Sequence, residues 1–298
     1  MRIILAIAGL CLAIAACQGP TKDAQQSDVD IAALQWISSD ANRVAHVTQQ
    51  PATCLKNPED AAVQRGELLF NSPLLLGGQA AKAGLSCGSC HRNGRGNAEF
   101  IFVGISGAPG TADVTSGLFS KMRADQVFNP VLIPDLALPE GQINVDRTAG
   151  GVLEAFLVAQ ITEEFSAETP GSKVVADLSA YLRALDAAAC ARGTEEPQTW
   201  RDEMRRLRAG ASIIVEPTHQ DGDAYRAAMR AALGRLFERY ATDEFDRLRQ
   251  TLISLSRDIA DDDFSEDITI RLNALEASLA AGEAQSLYDP ERLKQALP

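Results

Sequence analysis

The sequence predicts a mainly α-helical protein, a first helical domain followed by a C-terminal helical bundle. Three observations carry that prediction. Apolar residues recur at helical spacing on both sides of a loop-rich centre, in 59–70 and again in 172–189. Beyond residue 197 they recur in four successive amphipathic stripes. Between the two parts lies 191–197, with glycine, acidic residues and proline, a composition that breaks regular structure. At 298 residues the chain is long enough for two domains. We place them at 51–192 and 197–298, after a leader over 1–16 and an extension over 17–50.

The leader has Arg2 as its positive charge and an apolar run from Ile3 to Ala16, too short for a stable membrane span. It ends in Ile14-Ala15-Ala16-Cys17, which resembles the cleavage box of bacterial lipoproteins. That resemblance implies a lipidated Cys17 as the first residue of the mature chain. An ordinary signal peptide cut near Ala16 is the alternative. Several acyl chains on one residue anchor durably where one does not. Gln18 after the cysteine implies the outer membrane, and the polar tract 18–30 reads as a tether. The expected location is therefore the periplasm, on a lipid anchor. A net charge of -12 argues against nucleic acid, because phosphate repulsion would oppose binding. The same charge suits a basic partner protein, and it is equally a solubility device.

In the first domain, 59–70 reads as a helix with Val63, Gly66, Leu69 and Phe70 on one side. Glycine inside a helix is unfavourable by roughly 1 kcal/mol against alanine, so Gly66 suggests a close helix contact. The helix expected over 172–189, with Val174, Val175, Leu178, Tyr181, Leu182 and Leu185 on its stripe, offers Tyr181 to that gap. Between them stands Cys87-Gly88-Ser89-Cys90-His91, the C-x-x-C-H pattern of c-type haem attachment. One helical turn puts both sulfurs on one edge of a porphyrin, with the imidazole under the metal. A redox thiol pair or half a zinc site can share the C-x-x-C part. Zinc would need further ligands, and the chain has three histidines, His46, His91 and His219. The expected cofactor is one covalent haem c.

These residues also resemble a known family. Gly66-x-x-Leu69-Phe70, Cys87-x-x-Cys90-His91 and Leu178-x-x-Tyr181-Leu182-x-x-Leu185 look like the cytochrome c fold, whose first and last helices cross beside the haem. More narrowly, Ser86 to His91 and the Gly-rich stretch after it are similar to the first domain of bacterial di-haem cytochrome c peroxidases. The segment Gly110 to Phe119, and Leu153-x-x-Phe156 with the later Glu164-Phe165, fit that family more loosely. The resemblance spans roughly half the chain and implies a cytochrome c-like haem domain over 51–192. Two features depart from the family. The sequence holds a single C-x-x-C-H, and the stretch near Gly104-Ile105-Ser106-Gly107 has no distal histidine. Chemistry that needs two haems is therefore not available within one chain.

For the iron's sixth position, Met122 is the methionine between His91 and the helix that closes the domain. His/Met ligation is common in cytochromes c and raises the potential. His46, His219 and an open or water-filled site stay as alternatives. Arg92 and Arg95 are candidates to neutralise haem propionates, with an exposed turn as the plain alternative. Arg147 follows Asp146 somewhat as an arginine does in the peroxidases. Cysteine arithmetic leaves one pair. Cys11 departs with the leader, Cys17 takes lipid, and Cys87 and Cys90 take haem. Cys54 and Cys190 remain, and an oxidising compartment favours a disulfide between them, two unrelated buried thiols being the alternative.

In the second domain, helices are expected over 200–211, 224–240, a stripe of Phe245, Leu248, Leu252, Leu255 and Ile259, and a fourth run of Ile268, Leu272, Leu275 and Leu279. Ser265 is its expected cap and Gly282 lies past its end. Four such helices can close one bundle core. The acidic group Asp258, Asp261, Asp262, Asp263 and Glu266 lacks the ligand spacing of a calcium loop and reads as a solvated turn. The functional expectation is a membrane-tethered periplasmic mono-haem cytochrome that exchanges electrons with a redox partner protein. A peroxidase-like enzyme with an open haem site is the rival, and a scaffold with structural haem is a third reading. The sequence fixes no oligomeric state.

Overall fold

The computed structural model describes residues 29–139, 145–191, 194–215, 221–262 and 267–297. The leader, Cys17, His219 and Ser265 lie outside the described residues. The described chain is mainly helical.

The chain enters through a 3₁₀ turn and α1 (Arg43–Thr48), where the Asn42 side chain accepts the Ala45 N–H. β1 (Gln49–Pro51) follows and pairs antiparallel with β4 (Glu195–Pro197), opposing Gln49 to Pro197. The N-terminal extension is thereby zipped to the segment that joins the two halves. Just inside this ribbon, Cys54 and Cys190 form a disulfide with their Cα atoms 5.0 Å apart. It closes a loop of 136 residues, and restricting so long a loop in the unfolded chain contributes up to ~5 kcal/mol.

α2 (Ala61–Phe70) starts where the Asp60 carboxylate accepts the N–H groups of Ala62 and Val63. It crosses α6 (Ser172–Ala184) at Gly66, as the sequence suggests. A Cβ on Gly66 would overlap the Asp177 carbonyl oxygen and lie 2.6 Å from the Tyr181 Cβ. Phe70 packs on the Tyr181 ring at 5.1 Å. α6 ends earlier than the stripe predicts. Leu185 turns extended to bridge with Leu55, the Asp186 N–H reaches the Cys54 carbonyl, and Asp186 caps a separate 3₁₀ turn over Ala187–Ala189. The tertiary contact overrides the helical pattern.

Between α2 and α6 run α3 (Gly78–Lys82), the single turn α4 (Cys87–Cys90) and a long irregular stretch. Its regular pairing is one short ribbon, β2 (Thr111–Ala112) with β3 (Val131–Leu132). α5 (Val152–Ala159) then runs directly into a π-helical turn, Gln160–Glu164.

The second half holds α7 (Trp200–Ile214), α8 (Gly222–Arg239), α9 (Asp246–Ala260), α10 (Ile268–Gly282) and α11 (Pro290–Ala296). α10 is capped by Asp267, whose carboxylate accepts the Thr269 N–H, and Gly282 is its last residue rather than the residue beyond it. The sequence reading did not anticipate α11, which begins at an Asp289 cap with proline in its first turn.

The two halves share one core. A single apolar cluster runs from Leu68, Leu69, Leu178 and Tyr181 through Leu207, Met229 and Leu236 to Leu252, Leu272 and Leu279. Buried charge ties the halves as well. Glu67 on α2 binds Arg205 and Arg206 on α7, and Glu203 on α7 binds Arg206 and Arg235. Asp177 on α6 binds Arg65, Lys173 and the Tyr225 hydroxyl of α8. Such ions are retained inside because each is paired. The break at 191–197 marks the chain, not a gap in packing.

Candidate functional site

The pentapeptide from Cys87 to His91 occupies α4 and its C-terminal residue. Ser86 and Ser89 form a capping box that starts the turn, and the His91 N–H closes it on the Cys87 carbonyl at 2.8 Å. Gly88 faces Asn71 at the end of α2, where a Cβ would overlap the amide, so this glycine lets the turn lie against the helix. Cys87 packs on two apolar clusters at once: the shared core, and a second group containing Leu85, Phe100, Phe102, Ile105 and Phe119. Cys90 packs on the second. Both thiols are free, and both are half-buried. Burial pushes the Cys87 thiol up to about 12, with the Glu164 charge adding to it, and it raises Cys90 as well.

His91 points its Nδ1 at the Pro134 carbonyl, 3.0 Å away. A carbonyl only accepts, so Nδ1 carries the hydrogen and Nε2 presents a lone pair. Burial lowers the ring's pKa to about 4, against smaller opposing effects of Pro134 and Asp135, so the imidazole is neutral at neutral pH. A neutral imidazole with its second nitrogen fixed by a carbonyl is what a metal-binding histidine requires.

The segment that follows Pro134 is held at several points. The Leu136 N–H donates to Gly94, and the Ala187 N–H donates to Ala137. Arg147 donates to the carbonyls of Leu136, Leu138, Leu182 and Leu185, at 2.7 to 3.3 Å. It therefore straps the segment after Pro134 to the end of α6. Nothing local in the sequence marks the four carbonyls Arg147 binds.

Arg92 and Arg95 both make hydrogen bonds within the protein. Arg92 donates to the His46 and Gln49 carbonyls, both at 2.7 Å, and lies 3.4 Å from the His46 Nδ1. It clamps the N-terminal extension. Arg95 binds Asp135 through Nε at 2.7 Å and aims Nη1 at the Cys54 sulfur. These protein acceptors take several of the guanidinium donors, and a role of Arg92 and Arg95 at haem propionates stays a proposal.

The Met122 turn lies beside the π-helical turn: the Ser120 hydroxyl donates to the Glu163 carbonyl, and Arg123 pairs with Glu163 and Glu164. The Met122 side chain itself is turned to solvent, 73 % exposed, and is not seated with the thiols and His91. His46 is buried on α1 against Arg92. Glu164 carries no role that the sequence pattern signals. It is buried, its charge is felt at both thiols, and burial raises its pKa to about 7 against the pull of Arg123. A π-helical turn often accompanies a functional position, because it re-aims one side chain out of helical register.

The donor set fits a covalent haem: two neutral thiols one helical turn apart and an adjacent imidazole with its Nε2 free. Among the described residues no group of three or more His, Cys, Asp or Glu is placed to hold a metal ion. Among the described residues no helix is long and apolar enough to cross a membrane. No protein-family model, curated protein or solved structure matches the chain.

Proposed function

We propose that the protein is a mono-haem c-type cytochrome that transfers electrons. The observation that carries this reading is the His91 Nδ1–H donated to the Pro134 carbonyl beside two free thiols on one turn. Cys87 and Cys90 would hold the thioether links and the His91 Nε2 the iron. A haem bound there supplies a one-electron ferric/ferrous couple. Pro134 fixes the imidazole's tautomer and ring plane, and Arg147 straps the segment that follows Pro134 to the end of α6. The apolar groups around Cys87 and Cys90 limit water, which tunes the potential.

The α2–α6 crossing at Gly66 and Tyr181 supports a cytochrome c-like arrangement of the first half. We assign the helices α7 to α10 to a bundle packed onto it. Lipidation at Cys17, a place in the periplasm on the outer membrane and a redox partner protein complete the proposal, on the sequence grounds given above.

Glu164 favours a second reading, a peroxidase-like site that reduces hydrogen peroxide. A buried carboxyl with a pKa near 7 is matched to general acid–base work at neutral pH. One spectrum separates the two. A low-spin ferric spectrum supports electron transfer, and if the exposed Met122 turns inward to the iron the weak far-red sulfur-to-iron band is present and is lost in Met122→Ala. A high-spin ferric spectrum that shifts with cyanide or peroxide, and peroxide turnover lost in Glu164→Gln, gives the enzyme. A preparation without covalent pigment overturns both.

A further inference from the structure

The Cys54–Cys190 bridge has a neighbour that a purely structural disulfide does not need. Arg95 directs Nη1 at the Cys54 sulfur at 2.8 Å and lies 3.7 Å from the Cys190 sulfur. A disulfide sulfur is a weak acceptor, so a strong cationic donor is aimed where it gains little in the oxidised state. If the bond opens, the same contact becomes a charge-assisted hydrogen bond to a thiolate, about twice as strong. The guanidinium is already in place, because Asp135 holds its Nε at 2.7 Å. Asp135 offsets part of the charge, but it lies on the Nε side and leaves Nη1 directed at the sulfur.

The two sulfurs differ in access. Cys54 is fully buried, whereas Cys190 is half-buried and lines a cleft of about 730 Å³ with Lys56, Arg147, Arg183 and Asp186. An attacking thiolate can reach Cys190 from that cleft, where Lys56 is paired with Asp186 and Arg183 with Glu154. The sulfur it would displace is the one beside Arg95. Attack, leaving group and charge stabilisation thus share one geometry.

We propose that Cys54–Cys190 is an exchangeable redox disulfide, opened at Cys190 by a dithiol reductant and held reduced by Arg95 at Cys54. The reductant's thiolate forms a bond to the Cys190 sulfur. The Cys54–Cys190 bond breaks, and its electron pair leaves on Cys54 as a thiolate. The reductant's second thiol then displaces Cys190 from the mixed disulfide. The dithiol ends oxidised to its own disulfide, and Cys190 leaves as a thiol after taking the second thiol's proton. A low-pKa leaving sulfur departs faster, so Arg95 governs the rate as well as the equilibrium.

The test is native reduction of the full chain by dithiothreitol, followed by acid quench, maleimide labelling and peptide mass mapping. Wild type is expected to open without denaturant. Arg95→Met is expected to slow opening about tenfold, and Arg95→Lys to stay within about threefold of wild type, since the cation drives departure of the leaving sulfur. Resistance of the folded wild type, or equal rates in wild type and an Arg95→Met protein of unchanged melting temperature, overturns the proposal. If Arg95→Met does not fold, the pH midpoint for alkylating Cys54 in reduced wild type decides. A midpoint below the ordinary cysteine value of about 8.5 supports the proposal, and one at or above it overturns it. The labelling reads thiols alone, so a pigment-free preparation defeats the haem reading and leaves this test standing.

Discussion

Replacing Gly66 by alanine should destabilise the fold, although the same change in most helices stabilises it. Alanine is favoured over glycine inside a helix by about 1 kcal/mol, so propensity alone gives a gain. At Gly66 the new methyl group would overlap the Asp177 carbonyl oxygen and lie 2.6 Å from the Tyr181 Cβ. The obstacle is backbone, and it cannot move freely. Asp177 is tied to Arg65 at 2.7 Å, to Lys173 at 2.6 Å and to the Tyr225 hydroxyl at 2.6 Å. Relief requires α2 and α6 to separate, which loosens the Phe70–Tyr181 contact as well. Overpacking of a well-filled site costs about 1–3 kcal/mol, and loosening a buried ionic network adds to it. After the propensity gain of about 1 kcal/mol is subtracted, the expected net loss is about 1–2 kcal/mol. Gly234, within α8, is the control, because nothing lies within 4 Å of the Cβ it would gain. Gly234→Ala should raise stability by about 0.5–1 kcal/mol. Guanidinium unfolding followed by circular dichroism reads both variants, with the disulfide intact. A Gly66→Ala protein as stable as the parent would refute the crossing.

Three further outcomes are expected. Glu67→Ala leaves Arg205 and Arg206 without their shared buried carboxylate and should cost about 3–5 kcal/mol, whereas Arg201→Ala, which breaks an exposed pair with Glu283, should cost less than about 1 kcal/mol; the same unfolding curves compare them. His46 has its pKa lowered to about 3, first by burial and then by Arg92, so between pH 6.5 and 3 the unfolded chain takes a proton that the folded chain refuses. Stability should therefore fall by about 1.4 kcal/mol per pH unit as pH drops through that window, and His46→Gln should flatten the slope relative to wild type. Cys87→Ala with Cys90→Ala should leave no pigment on the chain after denaturing electrophoresis, and haem-linked peroxidase staining is the check.

Much of the helical framework was legible because each helix carries its own periodic stripe. Val63, Gly66 and Phe70 on one side and Leu178, Tyr181 and Leu182 on the other foretold both α2 and α6 and their crossing. Helix ends were read less well. The stripe through Leu185 continues past Ala184, but Leu55 and the Cys54 carbonyl capture the chain there, and no local pattern records a partner more than a hundred residues away. The same reason hid the shared core, since Glu67 reads as one more polar residue on a helix until Arg205 and Arg206 are brought to it.

At the site, the C-x-x-C-H motif named its own residues, because one turn contains them all. The residues that hold the imidazole were not legible. Pro134 lies 43 residues from His91, and no local pattern links the two. Arg92 and Arg95 were read from proximity to the motif alone. Their direction is set by His46, Gln49, Asp135 and the disulfide, none of which is adjacent in sequence. Glu164 gained its meaning from burial and from the π-helical turn, which periodicity does not signal.

The account depends most on a haem joined to Cys87 and Cys90. The direct measurement is the intact mass of the chain, matured in cells that attach c-type haem, together with the alkaline pyridine spectrum of the same sample. The account predicts one haem's mass per chain, retained after denaturation, and a spectrum of two saturated vinyl positions. A chain at its bare polypeptide mass, with Cys87 and Cys90 open to alkylation and no absorbing pigment, would contradict it.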